Sequence, residues 1–313
     1  MRRRLRRFLA LREDGDSLAL VRLGAGLALV WNVASAFVAG VAPVAWVDAA
    51  HGGYRPLVPD PRLAALGGAH PTVVAIVGLA ALVCGGLLAA GLWPRAAALV
   101  GGQALLALTR TNPHAQGSYD ALLAGILFLL AIGDPGAALS PFARRRKVLR
   151  YPRALLAIQL AAVYGGTALH KVSAAWTPAG RYAALYYILQ QPSWHRFDLS
   201  AAAHVFWATQ LATAMAWWFE LSFPVLVAIL LARGMGPAPK LRLGRLTVDL
   251  RTPWVAFGVT MHLLILALLE VGPFSLIILS LYPALYTPRE IRAALGRLGA
   301  TVGRLRTAVP RPA

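Results

Sequence analysis

Long apolar runs separated by short polar or basic stretches recur along almost the entire chain. Residues 17–40, 72–93, 95–111, 118–133, 154–171, 202–231, 253–270 and 272–286 each read as a helical span. A helix needs about 20 residues at 1.5 Å each to cross a bilayer, so the short runs at 95–111 and 118–133 predict tilted, end-extended or partly re-entrant helices. Between the runs, residues 41–71 hold Trp46, Asp48, His51, Gly52, Gly53, Tyr54 and several prolines, too broken for a helix to continue. Asp134-Pro135-Gly136 marks a turn, and Pro224 inside the sixth run predicts a kink and a freed carbonyl. Residues 173–201 form a long loop in which Tyr182, Tyr186, Tyr187 and Trp194 predict a segment with its rings at headgroup level.

Composition turns this pattern into a fold class. With 58% hydrophobic and 14% charged residues in 313, and a mean hydropathy of +0.61, a soluble globule would lack the polar surface to cover its apolar side chains. The expectation is an all-α, polytopic membrane protein of one domain, residues 17–286, of about eight transmembrane helices. A basic N-terminal segment (1–16) and a basic tail (287–313) flank it. Cys84 is the single cysteine, so an intramolecular disulfide and a cysteine-built metal site are both excluded.

A formal net charge of +19 would suit nucleic acid, but the basic residues lie in blocks between the spans, with no soluble domain to present them. Counted on alternate sides of eight crossings, 24 of the 31 Lys and Arg fall on one side and 5 on the other, with Arg22 and Lys171 inside spans. Retained loops carry the positive charge. Both termini are therefore expected to be cytoplasmic, membrane lipids rather than nucleic acid to be the surroundings, and Lys171 to sit on the outer side of a bacterial plasma membrane. The basic run at 144–147 serves as a topogenic signal or as a contact for anionic lipid.

Candidate chemistry is confined to the ionisable residues that the apolar runs hold. Lys171 closes the fifth span, where a charge costs roughly 2.5–3.5 kcal/mol near the bilayer centre and less toward an interface. Two roles fit: a partly desolvated amine acting as a base, or a snorkelling contact with outer headgroups. Tyr164 and Thr167, seven and four residues earlier, share its helical face, whereas His170 points about 100° away and fits a capping role. His262, in the middle of the seventh span, needs a partner helix or a cavity. Glu220 needs a basic partner, with Arg22 or His262 as candidates, and Asp120 reads as a cap near the start of the fourth span. No Gly-rich phosphate loop, HExxH, CxxC or GxSxG occurs.

Taken together, VYGGTALHKVSAAW, AMAWWFELSFPVL and MHLLILALLEVGPFSLIILSLYPALY resemble the horizontally transferred transmembrane (HTTM) domain family, which includes the vitamin K-dependent gamma-glutamyl carboxylases. The resemblance runs from Val21-Arg22-Leu23-Gly24 to the eighth span. It implies that Lys171 matches the lysine regarded as the base that deprotonates vitamin K hydroquinone on the luminal side, and that His262 matches a membrane-domain histidine. The carboxylase histidine proposed to support the oxygenated intermediate falls near Gly117 here, with His114 three residues away. The large luminal region that binds the carboxylase's peptide substrate has no counterpart, so carboxylation of peptide glutamate is not expected.

The expected function is thus quinol-linked carboxylation or oxidation of an unidentified substrate, with a reduced quinone as cofactor. Lys171 and His262 are the candidate catalytic residues, and His170, Tyr164, Trp176 and Glu220 the candidate cofactor-binding ones. The alternative class is a non-enzymatic lipid- or quinone-binding protein, or a small-solute transporter, with Lys171 as a headgroup contact.

Overall fold

The computed structural model describes residues 8–54, 58–143, 146–244 and 246–308. Most of the basic start, together with Arg55, Arg144, Arg145, Arg245 and residues 309–313, lies outside the described residues.

The molecule is mostly helical. Eight helices form its body: α1 (Asp16–Val38), α2 (Pro71–Ala90), α3 (Pro94–Thr109), α4 (Ser118–Gly133), α5 (Tyr151–His170), α6 (Phe206–Ala232), α7 (Thr252–Leu268) and α8 (Phe274–Leu281). A ninth, α9 (Pro288–Ala308), follows. Prolines open α2, α3, α5, α7 and α9, because the first turn has no use for the missing N–H and wants the fixed φ. Among the described residues, three segments are long and apolar enough to cross a membrane: α1, α2, and Ser200–Ala232, which joins a 3-10 turn to α6. The helices Ser118–Gly133 and Thr252–Leu268 and the segment Phe274–Leu285 are apolar but shorter.

Consecutive helices pack as neighbours. α1 packs on α2, α3 and α4, and α5 packs on α6 and α4. α8 sits among α1, α4, α5 and α7. Contact between α1 and α2 is close at glycines: a Cβ on Gly26 would lie 2.7 Å from the Gly85 carbonyl oxygen. Apolar side chains such as Leu29, Leu88, Leu108, Leu123, Leu160, Phe223 and Ile277 fill the interior, while Ile76, Leu79, Phe128, Val225 and Leu264 face outward. Apolar residues on both faces of a helix are the pattern of a bundle surrounded by lipid.

Two short antiparallel ladders modify the all-α expectation. β1 (Arg12–Glu13) pairs with β2 (Val148–Leu149), and β3 (Lys240–Leu243) with β4 (Leu246–Asp249). Both lie at the arginine-rich end. There the fifth helix starts earlier than the sequence pattern suggests, at Tyr151, which draws Arg153 out of the basic loop into the bundle. Arg153 donates to both carboxylate oxygens of Glu13 and to the carbonyls of Met235, Ala284 and Tyr286. Arg22 donates to the carbonyls of Leu88, Ala89 and Leu139. Arg251 bonds the carbonyl of Leu285 and the carboxylates of Asp249 and Glu290. All three guanidiniums are buried. Each bonds carbonyls at or just beyond a helix end, where few intrahelical donors are left and the helix dipole also favours a cation.

The tail is tied down as well: Arg292 of α9 pairs with Asp16 at the start of α1. At the opposite end, Asn32 donates to Asp120, which also accepts from the Gly117 N–H, and Asn112 donates to the Ala45 carbonyl. Asp120 therefore does more than cap its own helix: it joins α4 to α1.

Candidate functional site

Glu220 pairs with neither Arg22 nor His262. Its carboxylate holds Lys171, with Nζ 2.6 Å from Oε1 and 2.5 Å from Oε2. Lys171 is the C-cap of α5, its N–H donating to the Thr167 carbonyl, so its charge also sits at a favourable helix end. The ammonium lies 4.1 Å from the centroid of the Trp176 ring, within cation–π range. With side chains 17% and 9% exposed, the pair is sheltered.

The pair opens onto a cavity of about 310 Å³ enclosed by α5, α6, α7 and the segment after Lys171. α5 contributes Tyr164, Thr167 and Lys171 from one face, as their spacing predicts. α6 contributes Thr213 and Glu220, and α7 contributes Phe257, Met261 and His262. The loop expected to carry rings at headgroup level closes one side of the cavity. Its short helix Ala184–Leu189 places Leu185, Ile188 and Leu189 on the cavity, and the Leu185 N–H is fixed by the Thr213 hydroxyl. Of the loop's aromatic residues, Tyr182 packs on Trp217 and Tyr186 on Phe206, while Tyr187 and Trp194 stay exposed.

A chain of buried polar groups runs inward from the cavity. The Tyr164 hydroxyl is 2.9 Å from His262 Nε2 and 2.7 Å from the Tyr282 hydroxyl. His262 Nδ1 is 3.5 Å from Ser275 Oγ, a long contact. Each hydroxyl carries one proton, so two arrangements satisfy the chain. Either Tyr282 donates to Tyr164 and Tyr164 to His262, or the imidazole donates to Tyr164 and Tyr164 to Tyr282. Space for the Tyr282 hydroxyl comes from Gly258, where a Cβ would sit 1.8 Å from it. Pro224 lies inside α6 and denies a donor to the carbonyl four residues earlier, that of Glu220 itself.

Five of the six sequence-predicted site residues, Lys171, His262, Tyr164, Trp176 and Glu220, line this one cavity. His170 does not. Its ring is exposed, with Nδ1 2.7 Å from the Gly166 carbonyl oxygen, because it lies a third of a turn away from the cavity-facing side of α5. His114 stays exposed in the loop before α4 and lines no part of the cavity. Tyr282, Ser275 and Gly258 escape sequence reading: a tyrosine near the end of an apolar run looks like an interfacial ring, and only packing brings it to Tyr164. Among the described residues no group of three or more His, Cys, Asp or Glu side chains is gathered to hold a metal ion.

The cavity is apolar over most of its wall, with its charges opposed in a single pair. That combination suits a neutral, mainly apolar molecule with a hydrogen-bonding head, and its volume is near the lower end of small-molecule sites, roughly 300–1000 Å³. No family model, curated protein or solved structure matches this chain.

Proposed function

We propose that this chain is an integral membrane protein of eight crossings, with both termini on the arginine-rich, cytoplasmic side, and that its cavity binds a quinol-type molecule near the outer leaflet. The observation that carries the reading is the Lys171–Glu220 pair beside Trp176 in an otherwise apolar chamber that also reaches His262. A reduced quinone fits it: the ring suits the apolar walls and the Trp176 face, and the hydroxyl suits an acceptor and a cation side by side. When bound, such a molecule supplies ionisable hydroxyl protons and two electrons.

The residues divide the work as follows. Glu220 accepts a hydrogen bond from the ligand hydroxyl, and the Lys171 ammonium stabilises negative charge on that oxygen when its proton leaves. Lys171 serves as a base only after its own proton has passed to Glu220, since an ammonium has no free lone pair. Tyr164 and His262 hold the inner end and offer a second proton-accepting path. The reading extends the resemblance to the vitamin K-dependent carboxylases, with quinol-linked carboxylation or oxidation as the reaction class.

The ion pair also favours a second reading, in which the protein binds quinone or lipid without chemistry, because a lysine held by two carboxylate oxygens is a poorer base than a free one. Titrating the purified protein with a reduced naphthoquinone, while following tryptophan fluorescence and quinol consumption, separates the two. Binding and consumption that are both lost in Lys171→Ala support the first reading. Binding without consumption supports the second, and no binding by the wild-type protein refutes the first and leaves lipid as the only ligand of the second.

A further inference from the structure

At the arginine-rich end, a groove of about 460 Å³ lies between the turn joining α2 to α3 and the segment after α4, away from the Lys171 cavity. Arg95, Arg146, Ser140 and Asp134 line it, together with Trp93 and Phe142. The rings of Trp93 and Phe142 are 76% and 77% exposed, although burial would be the ordinary fate of side chains this apolar. In a membrane protein, aromatic rings left open beside arginines belong at headgroup level.

The local charge is positive. Arg146 takes both oxygens of Asp134 through Nε and one terminal nitrogen, which occupies that carboxylate. Arg95 spends only its Nε, on the Ala131 carbonyl, and its terminal nitrogens have no protein partner among the described residues. Behind the groove lies Arg22, 2% exposed, bonded only to backbone carbonyls and with its Nε unsatisfied. No carboxylate among the described residues forms an ion pair with it. Gly91 is the partition: it lines the groove, and a Cβ there would stand 2.1 Å from an Arg22 terminal nitrogen.

The backbone around the groove is unusual as well. Trp93, Asp134 and Leu139 all have left-handed φ, at 41°, 55° and 49°, a conformation that non-glycine residues adopt rarely and that gathers at functional sites. Leu139 thereby gives its carbonyl to Arg22, and Trp93 stands at the mouth, immediately before α3.

We infer that this groove is a binding site for the phosphate of an anionic phospholipid, read by Arg95 and Arg146 over the buried charge of Arg22, with the glycerol and upper acyl chains against Trp93 and Phe142. Free inorganic phosphate shares the anionic chemistry but would leave both rings without a contact, so the lipid is the occupant assigned.

The test uses the full-length protein in detergent, with binding of phosphatidylglycerol, phosphatidylcholine and inorganic phosphate measured by native mass spectrometry. One phosphatidylglycerol is expected to be retained in preference to phosphatidylcholine, and Arg95→Gln should weaken it about fivefold, since a basic residue near a lipid surface is worth roughly 1 kcal/mol. Trp93→Ala should weaken the lipid but not inorganic phosphate. Arg297→Gln, on an exposed turn of α9, should change neither. Equal retention of the two lipids, or indifference to both Arg95→Gln and Trp93→Ala, overturns the assignment, as does binding of inorganic phosphate alone. If Arg95→Gln does not fold, the wild-type salt series decides: retention of phosphatidylglycerol must fall as salt rises, and salt-independent retention would overturn the site.

Discussion

Lys171 and Glu220 are worth more to each other than either is to the bundle. Taking two charges out of water is expensive, and removing one partner strands the other, typically at a cost of about 3–5 kcal/mol. Lys171→Met and Glu220→Met alone are therefore expected to lower stability by that order, while the double variant recovers most of the loss. A double-mutant cycle in thermal or denaturant unfolding measures this, and additive losses would show that the pair does not couple. Tyr164→Phe removes the one hydroxyl that joins His262 to Tyr282. Because both former partners stay buried, the expected cost is about 1–3 kcal/mol. Tyr282→Phe should cost less, since it leaves the Tyr164–His262 bond in place; a larger loss than Tyr164→Phe would refute that order.

Among the elements, the arginine-rich end is held by side chains that reach from one helix to the carbonyls of another. Arg153 closes a knot of β1, α5, the turn after α6 and the end of α8. Arg153→Met leaves Glu13 only the bond from Arg150 and the Tyr286 carbonyl only that from Ser17, and takes the Arg153 donor from the Met235 and Ala284 carbonyls, so it is expected to be among the most damaging single changes, by about 3 kcal/mol in unfolding measurements. The neighbouring knot is acid-sensitive. Burial pushes the Asp249 and Glu290 carboxyls up, but their bonds to the Arg251 guanidinium outweigh this and bring both below the ordinary carboxylate range. Asp14 is also lowered, chiefly by its bond to Lys147. All three hold protons more weakly folded than unfolded, so their contribution is complete above about pH 4.3 and is lost as pH falls through their folded values. A pH series of unfolding midpoints should show the loss there, and Asp249→Asn with Glu290→Gln should flatten it.

At the scale of the whole molecule, the expected topology is open to direct test. Cys84 is the single cysteine and is buried, so a Cys84→Ala background gives clean labelling. Eight crossings predict that a cysteine at Ser200 reacts with a membrane-impermeant maleimide added to intact cells, and that one at Thr247 reacts only after the membrane is opened. The reverse pattern, or equal labelling, would refute the orientation proposed for the Lys171 cavity. Alternating helices account for how legible the architecture was: apolar runs and prolines fixed most helix positions to within a few residues, because lipid tolerates little else at depth. They missed β1 pairing with β2 and the early start of α5, since both depend on what Glu13 and Arg153 meet across the bundle.

What the chain determines by itself is a row of apolar helices and the few ionisable residues they carry. Helical period alone set Tyr164, Thr167 and Lys171 on one face and turned His170 away from it. Partnership was decided only in three dimensions. Residues 171 and 220 lie on different helices, nothing local distinguishes Lys171 from Arg22 or His262 as the mate of Glu220, and Tyr282 finds Tyr164 only because Gly258 leaves room. Periodicity constrains neighbours within one helix, whereas the meeting of separate helices depends on how their side chains pack.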